Sequence, residues 1–228
     1  NADAKHTLRD SSVTAGVAAS TSGVAGALDA TVAVNTINGK TSAEVNNTNI
    51  NNIGDLTGIN NSANVFVNAY DKVDMQSHIG TLSVGGASTV GVGIATAVNV
   101  NNINRETTAK IVGVAGTNLN KNIVNGYNID VNALGETDIT ITESGLAVGA
   151  GASGGGAVTG SVSVNHFTSL TNAMVSGINS NAHKLNIKAN RVADIQTYNN
   201  GAAASGGEAA IAVGVGVNVG VGVGITSF

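Results

Sequence analysis

Strict alternation of branched aliphatic and small residues runs through much of this chain. Val90, Val92, Ile94, Val98 and Val100 alternate with Gly91, Gly93, Ala95, Ala97 and Asn99, and Ile211, Val213, Val215 and Val217 alternate with Ala212, Gly214 and Gly216. A period of two is that of a β-strand. β-branched side chains suit a pleated sheet, so the Val/Ile set is expected to point inward and the Gly/Ala set outward. Outward glycine weakens a strand unless another backbone comes close. The expected cover is the small-residue segment just upstream in each repeat, such as Gly145–Ala152 and Gly201–Ser205, with a second molecule as the alternative. Helix signals are poor, with no heptads and Gly in every segment.

A second pattern overlies the first. The mark apolar-x-apolar-Asn ends at Asn35, Asn68, Asn101, Asn132, Asn165 and Asn218, with a degenerate copy ending at Lys188 and Asn1 where an earlier one would end. The spacings from Asn1 onward are 34, 33, 33, 31, 33, 23 and 30, the sequence sign of a repeat architecture. The marks alternate between two types. Asn1, Asn68, Asn132 and Lys188 are followed by Ala, then six positions on by Thr7, Asp74, Asp138 and Asp194. Asn35, Asn101 and Asn165 lead instead into Thr41/Thr107/Thr171 and Ala43/Ala109/Ala173. The full repeat is therefore a pair of units spanning 53 to 67 residues, and the chain is expected to be a piece of a longer array.

Like strands at one period stack most simply in register. The predicted fold is all-β, a parallel β-helix or β-solenoid with about 30-residue coils, one repetitive domain over residues 1–228. About seven coils, each rising about 4.8 Å, make a rod on the order of 35 Å long. Stacked Asn residues are expected to form an amide ladder. They are placed at strand ends, where Asn tolerates a left-handed corner. The segments Asn46–Asn64 and Val112–Asn128 lack alternation and are predicted to be loops, because the unit after Asn165 does without about ten of their residues.

Composition narrows the class. Among 228 residues there is no Pro, Cys or Trp, Gly is 31, and charged residues are 11%. Low charge and abundant Val and Ile argue against disorder. The absence of Cys rules out disulfides and thiolate metal sites. A net charge of −4 leaves no basic footprint for nucleic acid. The Val/Gly run from Ile211 to Ile225 alternates and is predicted to be strand, not a membrane span.

Candidate chemistry is sparse. His6, His78, His166 and His183 do not recur at one repeat position, so none is expected to be catalytic or metal-ligating. Asp74, Asp138 and Asp194 recur two predicted coils apart, about 10 Å, too far to share one metal ion. Gly154-Gly155-Gly156 and Gly206-Gly207-Glu208 lack the Asp of calcium-binding nonapeptides. Thr137, Thr140 and Thr142 suggest an ice-binding ladder, but Val73, Gln76 and His78 interrupt it. The expectation is no catalytic, cofactor or metal site, and no enzyme activity.

A Gly/Ala/Ser-rich segment (Gly80–Ser88), then Val98–Asn101, then Thr107-Thr108-Ala109-Lys110-Ile111 resembles the repeats of fusobacterial leukotoxin-type filamentous adhesins. More loosely it is similar to filamentous-haemagglutinin-type exoproteins. The resemblance implies a right-handed β-helix, export by a two-partner or autotransporter route, and a role in adhesion or toxicity. The expected function is a stalk segment of a large secreted or surface-displayed bacterial adhesin. It would present loops to a host surface or matrix, with lateral or end-to-end self-association, no nucleic-acid partner and no membrane insertion of this segment. The rivals are a β-helical carbohydrate-active enzyme, for which only Phe66, Tyr70, Tyr127, Phe167, Tyr198 and Phe228 supply aromatics, and a self-assembling extracellular fibre subunit.

Overall fold

The computed structural model describes residues 1–48, 50–51, 64–113 and 123–227. They form strands and short turns: β1 (Ala2–Ser20), β2 (Val24–Asn46), β3 (Ile50–Asn51), β4 (Asn64–Ala87), β5 (Val90–Val112), β6 (Ile123–Gly151), β7 (Gly154–Ser176), β8 (Asn179–Gly206) and β9 (Ala210–Ser227). Apart from the two-residue β3, these strands are several times the usual length. Their length follows from the sequence, since no Pro interrupts the backbone donors and β-branched residues recur throughout.

The strands build two parallel sheets. Sheet A pairs β1, β4, β6 and β8 in that order, and sheet B pairs β2, β5, β7 and β9. The register is unbroken. Ala2 lies beside Ala69, Ala69 beside Ala133 and Ala133 beside Ala189. In sheet B, Asn35 lies beside Asn101 and Asn101 beside Asn165. The short strand β3 fills the place beside Val124–Asn125, ahead of the start of β4. This is the predicted all-β parallel solenoid.

One dimension is corrected. Each coil consists of one strand from each sheet, so it takes the full pair of sequence units. Adjacent strands are offset by 67 residues at Ala2/Ala69, 64 at Asn68/Asn132 and 56 at Asn132/Lys188. The 30-residue unit is half a coil. Four strands per sheet stack over about 14 Å, while a 23-residue strand runs about 75 Å. The object is a broad plate, not a seven-coil rod. The last mark is also misaligned by sequence, for Asn218 lies beside Ser163 and Gly220 takes the place beside Asn165.

Each coil reverses at two ends. At one end two or three residues suffice, such as Ser88–Thr89 between β4 and β5. These turns stack, with Thr89 N–H donating to Gly23 O and Ser153 N–H to Thr89 O. At the other end Asn47 N–H donates to Val112 O and Gly113 N–H to Ser176 O. Asn47 (φ 50°) and Gly177 (φ 63°) supply the left-handed backbone there. The marks themselves lie mid-strand, so the expected corner role of Asn passes to Asn47. The predicted loops are shorter than expected, because Asn46, Asn64 and 123–128 are strand. Residues 52–63 and 114–122 lie outside the described residues.

Along the strands the interior changes character. Near the long connections it is aliphatic, with Val65, Val67, Ile111, Ile129 and Val131 in one cluster and Met75, Ile103, Ile139, Ile141 and Phe167 in the next. A polar seam follows, around Ser77, Asn99 and Asn101. Toward the short turns the clusters shrink to Ala33, Ile79 and Ala97 and then to Ala95, Ala147 and Ala157. There the sheets touch. A Cβ on Gly91 would lie 2.1 Å from Ala150 O, one on Gly93 2.4 Å from Val148 O, and one on Gly149 1.9 Å from Gly156 O.

This close approach overturns the predicted facing. Gly91, Gly93, Ala95 and Ala97 point inward and Val90, Val92, Ile94 and Val98 point outward. The small side chains face in because two backbones in contact leave no room for larger ones. The expected covering element is correct, since Gly93 packs on the Ser83 and Val148 carbonyls and Gly214 on that of Gly201.

Candidate functional site

The mark asparagines form two ladders, one per sheet, not one. Inside the plate, Asn35 Nδ2 donates to Asn101 Oδ1 (2.9 Å), Asn101 Nδ2 to Asn165 Oδ1 (2.7 Å) and Asn165 Nδ2 to Asn218 Oδ1 (3.3 Å). Ser77 and Ser163 accept further amide bonds from Asn99 and Asn165. A buried amide needs such partners; in-register stacking supplies them from Asn35 to Asn165, and a diagonal contact supplies the last at Asn218. On the outer face of sheet A, Asn68 donates to Asn1 and Asn132 to Asn68. Lys188 follows Asn132 on that exposed face, so it ends this ladder without burying a charge. Exposure, not a short adjacent coil, is why lysine is tolerated there.

Two charged features lie inside. Asp71 and Arg105 form a buried ion pair, with Arg105 Nε 2.9 Å from Asp71 Oδ2 and Nη2 bonded to Oδ1. Thr41 also donates to Asp71 (3.3 Å), and His6 Nε2 lies 3.9 Å away. Gly39, one rung over, makes room for the guanidinium, for a Cβ there would fall 1.8 Å from Nη1. Glu143 is fully buried and neither of its oxygens has a hydrogen-bond partner. Burial pushes its pKa up to about 7, and the nearby Ser163 hydroxyl pulls it back by less.

The sequence-nominated residues are scattered. His6 lies against Asp71 on the inner side of β1. His78 is on the outer face of sheet A, and His166, on the outer face of sheet B, contacts the Thr168 hydroxyl. The His183 ring stacks on Tyr127, with centroids 4.8 Å apart. Among the described residues no group of three or more His, Cys, Asp or Glu side chains has metal-holding geometry. The Asp74–Asp138–Asp194 spacing is corrected. These residues are direct register partners, one strand apart at about 4.8 Å, on the outer face of sheet A. Thr140 and Thr142 face outward beside Gln76 and His78, so the threonine ladder is indeed interrupted.

Two features escape the sequence reading. Tyr70 donates to Glu136 (2.7 Å), which also pairs with Lys72 (3.5 Å), and the Glu136 carboxylate pushes the Tyr70 hydroxyl up to about 12. The larger feature is an aliphatic wall. The outward residues of sheet B over its short-turn half are almost all Val, Ile, Leu, Ala or Gly, from Val24–Val34 through Val90–Val100 and Val158–Val164 to Ile211–Val219. Beyond it the same face turns polar and carries the pairs Lys40–Glu106 (2.8 Å) and Lys110–Glu44 (2.9 Å). On sheet A a shallow depression over Gly80 is lined by Val13, Leu82, Ser144, Leu146 and Asn200.

No family model, curated protein or solved structure matches the chain.

Proposed function

We infer that this chain is a structural stalk segment of a large secreted or surface-displayed bacterial exoprotein, acting as a rigid spacer that presents its connections to a host surface or matrix, with no enzymatic step of its own. The observation that carries this reading is the unbroken in-register pairing over strands of up to 29 residues. Such a ladder satisfies the backbone along its whole length and leaves few openings for a protease. The inner asparagine ladder supports the same reading, because the amides of Asn35, Asn101 and Asn165 are spent on contacts between stacked strands.

The test combines resistance and binding. The purified chain is expected to survive thermolysin at a level that degrades an ordinary globular control, and to bind cultured host cells or matrix-coated surfaces when immobilised on beads. It is expected to release no reducing ends from a panel of polysaccharides. Saccharide cleavage would replace this reading with the carbohydrate-active one. Rapid digestion throughout the strands would end the spacer reading.

A further inference from the structure

We propose that the aliphatic half of the outer face of sheet B is an interface for a second copy of this chain, packed face to face about a two-fold axis parallel to the strands. The wall is unusual for a free surface. On its two inner strands Ile94 is 36% exposed, Val158 43% and Val164 37%. Six successive outward rows on four strands cover about 33 by 14 Å, on the order of 500 Å² before side-chain overhang. That is the size of the largest apolar patch on an ordinary monomer, about 300–600 Å², and such patches are often functional. Covered by its own counterpart it buries roughly 1,000–1,400 Å² in total, around the lower bound for a specific interface.

Shape points to a second copy. An axis between β5 and β7 sets β5 of one copy over β7 of the other, and β9 over β2, with rows in step. In three of the six rows large residues then meet small ones. Val90 lies over Gly154, Val92 over Gly156 and Thr96 over Gly160. At the outer columns Ile211 lies over Gly26 and Val215 over Ala30. Where large meets large, as at Ile94 over Val158, Leu28 over Val213 and Val98 over Val162, both partners are aliphatic. The outward glycines have no other use within one copy. A Cβ on Gly26 would meet nothing within 4 Å, and one on Gly156 only Val92 methyls at 3.8 and 3.9 Å. The inward glycines near the short turns, such as Gly85, Gly91, Gly93, Gly149 and Gly155, are by contrast fixed by backbone contact.

Charge points the same way. The six rows carry no charged residue, whereas the polar half of the face has lysines and glutamates that discourage sheet-on-sheet association. A lipid surface fits less well, because the wall has no Trp, Tyr, Lys or Arg and the turns at its end carry Ser22, Ser88, Thr89 and Glu208.

Sedimentation of the 228-residue chain across the micromolar range tests this. The expected result is a dimer that Val98→Lys converts to monomer, with unchanged circular dichroism, while Thr108→Lys on the polar half leaves it intact. Gly156→Val gives a second, differently signed readout. It should raise the melting temperature of the monomer, because valine suits a strand, and weaken dimerisation at least tenfold, because it fills the place of Val92 of the second copy. A monomeric parent chain overturns the proposal. So does a dimer or filament that survives Val98→Lys, which would place the contact on strand edges. Flotation of a monomeric parent chain with phosphatidylcholine–phosphatidylglycerol vesicles would overturn it in favour of lipid.

Discussion

The two ends of the plate are built from the same strands and obey opposite rules. Toward the long connections the sheets are held apart by Met75, Ile139, Ile141 and Phe167, and the outer faces carry charge. Toward the short turns the sheets meet backbone to backbone, glycine and alanine form the inside, and valine faces out. The polar seam of Asn, Ser and Thr lies between them. The comparison shows that alternation fixes the strand but not which alternate set is buried. Sheet separation decides that. With the backbones in contact, a methyl group is already too large for some inner positions, and the larger aliphatic set has only the outer face to occupy.

The sharpest way to break the comparison is to put a long side chain into the thin end. Gly93→Lys forces a charged chain into a position where even a Cβ lies 2.4 Å from a carbonyl oxygen. Overpacking and an unpaired buried charge act together, so we expect a loss of at least about 4 kcal/mol or outright failure to fold. Gly214→Lys, on the last strand of sheet B, should be milder, because the nearest contact there is 3.0 Å and the position is exposed. Circular dichroism and urea melts of the two variants decide the matter. Equal, near-parental stability for both would mean the sheets are not in contact.

Sequence reading fared differently at the two ends for the same physical reason. Strand type, parallel pairing and the two-unit repeat were legible, because Ala69/Ala133/Ala189 and Asn35/Asn101/Asn165 recur at positions that become register partners. The Gly/Ala cover was legible because small-residue segments recur in step with the glycine strands. Facing was not legible, because hydrophobicity alone assigns valine inward. Coil length is not legible from the marks taken singly, because alternate mark types belong to different sheets and two of them make one coil. Counting each mark as one rung doubles the apparent separation of the aspartates. The Asp71–Arg105 pair was out of reach, since its partners are 34 residues apart on different sheets. The left-handed Asn47 lacked any sign distinguishing it from its Asn neighbours.

Glu143 tests how dry the boundary between the seam and the thin end is. Its carboxyl is pushed from an ordinary value of 4.5 up to about 7 by burial. The unfolded chain releases this proton near pH 4.5, the folded chain only near 7. The folded state therefore holds more protons in that window, and stability falls as pH rises through it. The loss is on the order of 3 kcal/mol, complete above about pH 7. Glu143→Gln should remove this slope and be more stable than the parent at pH 8. Urea midpoints measured from pH 4.5 to 8 check both points. A parent chain whose stability rises across that window, with the Glu143→Gln variant sharing the rise, would mean that water reaches the carboxylate.

The seam itself should respond less. Asn101→Leu leaves the amides of Asn35 and Asn165 without their shared partner while both stay buried. A loss of about 1–3 kcal/mol is expected. The matching change in the outer ladder, Asn68→Leu, should cost less, because water replaces the lost bonds to Asn1 and Asn132. An unchanged melting curve for Asn101→Leu would remove the inner ladder as a source of stability.

The smallest effect is expected on the charged outer face of the thick end, and it has the opposite sign. Asp74, Asp138 and Asp194 are in-register neighbours across three strands, so Asp138 faces a like charge on each side at one strand spacing. Like charges directly opposite weaken a sheet. Asp138→Asn removes both repulsions and leaves a side chain able to donate to the two remaining carboxylates. We expect a gain of about 0.5–1 kcal/mol at low ionic strength, shrinking as salt screens the parent. At the thin end the same strand carries Val148 on its outer face, where no charge is relieved, and Val148→Asn should give no gain. Thermal melts of the two variants at low and high salt separate these outcomes. If Asp138→Asn gains nothing at low salt, the three carboxylates are far enough apart in solution that their shared column has no energetic consequence.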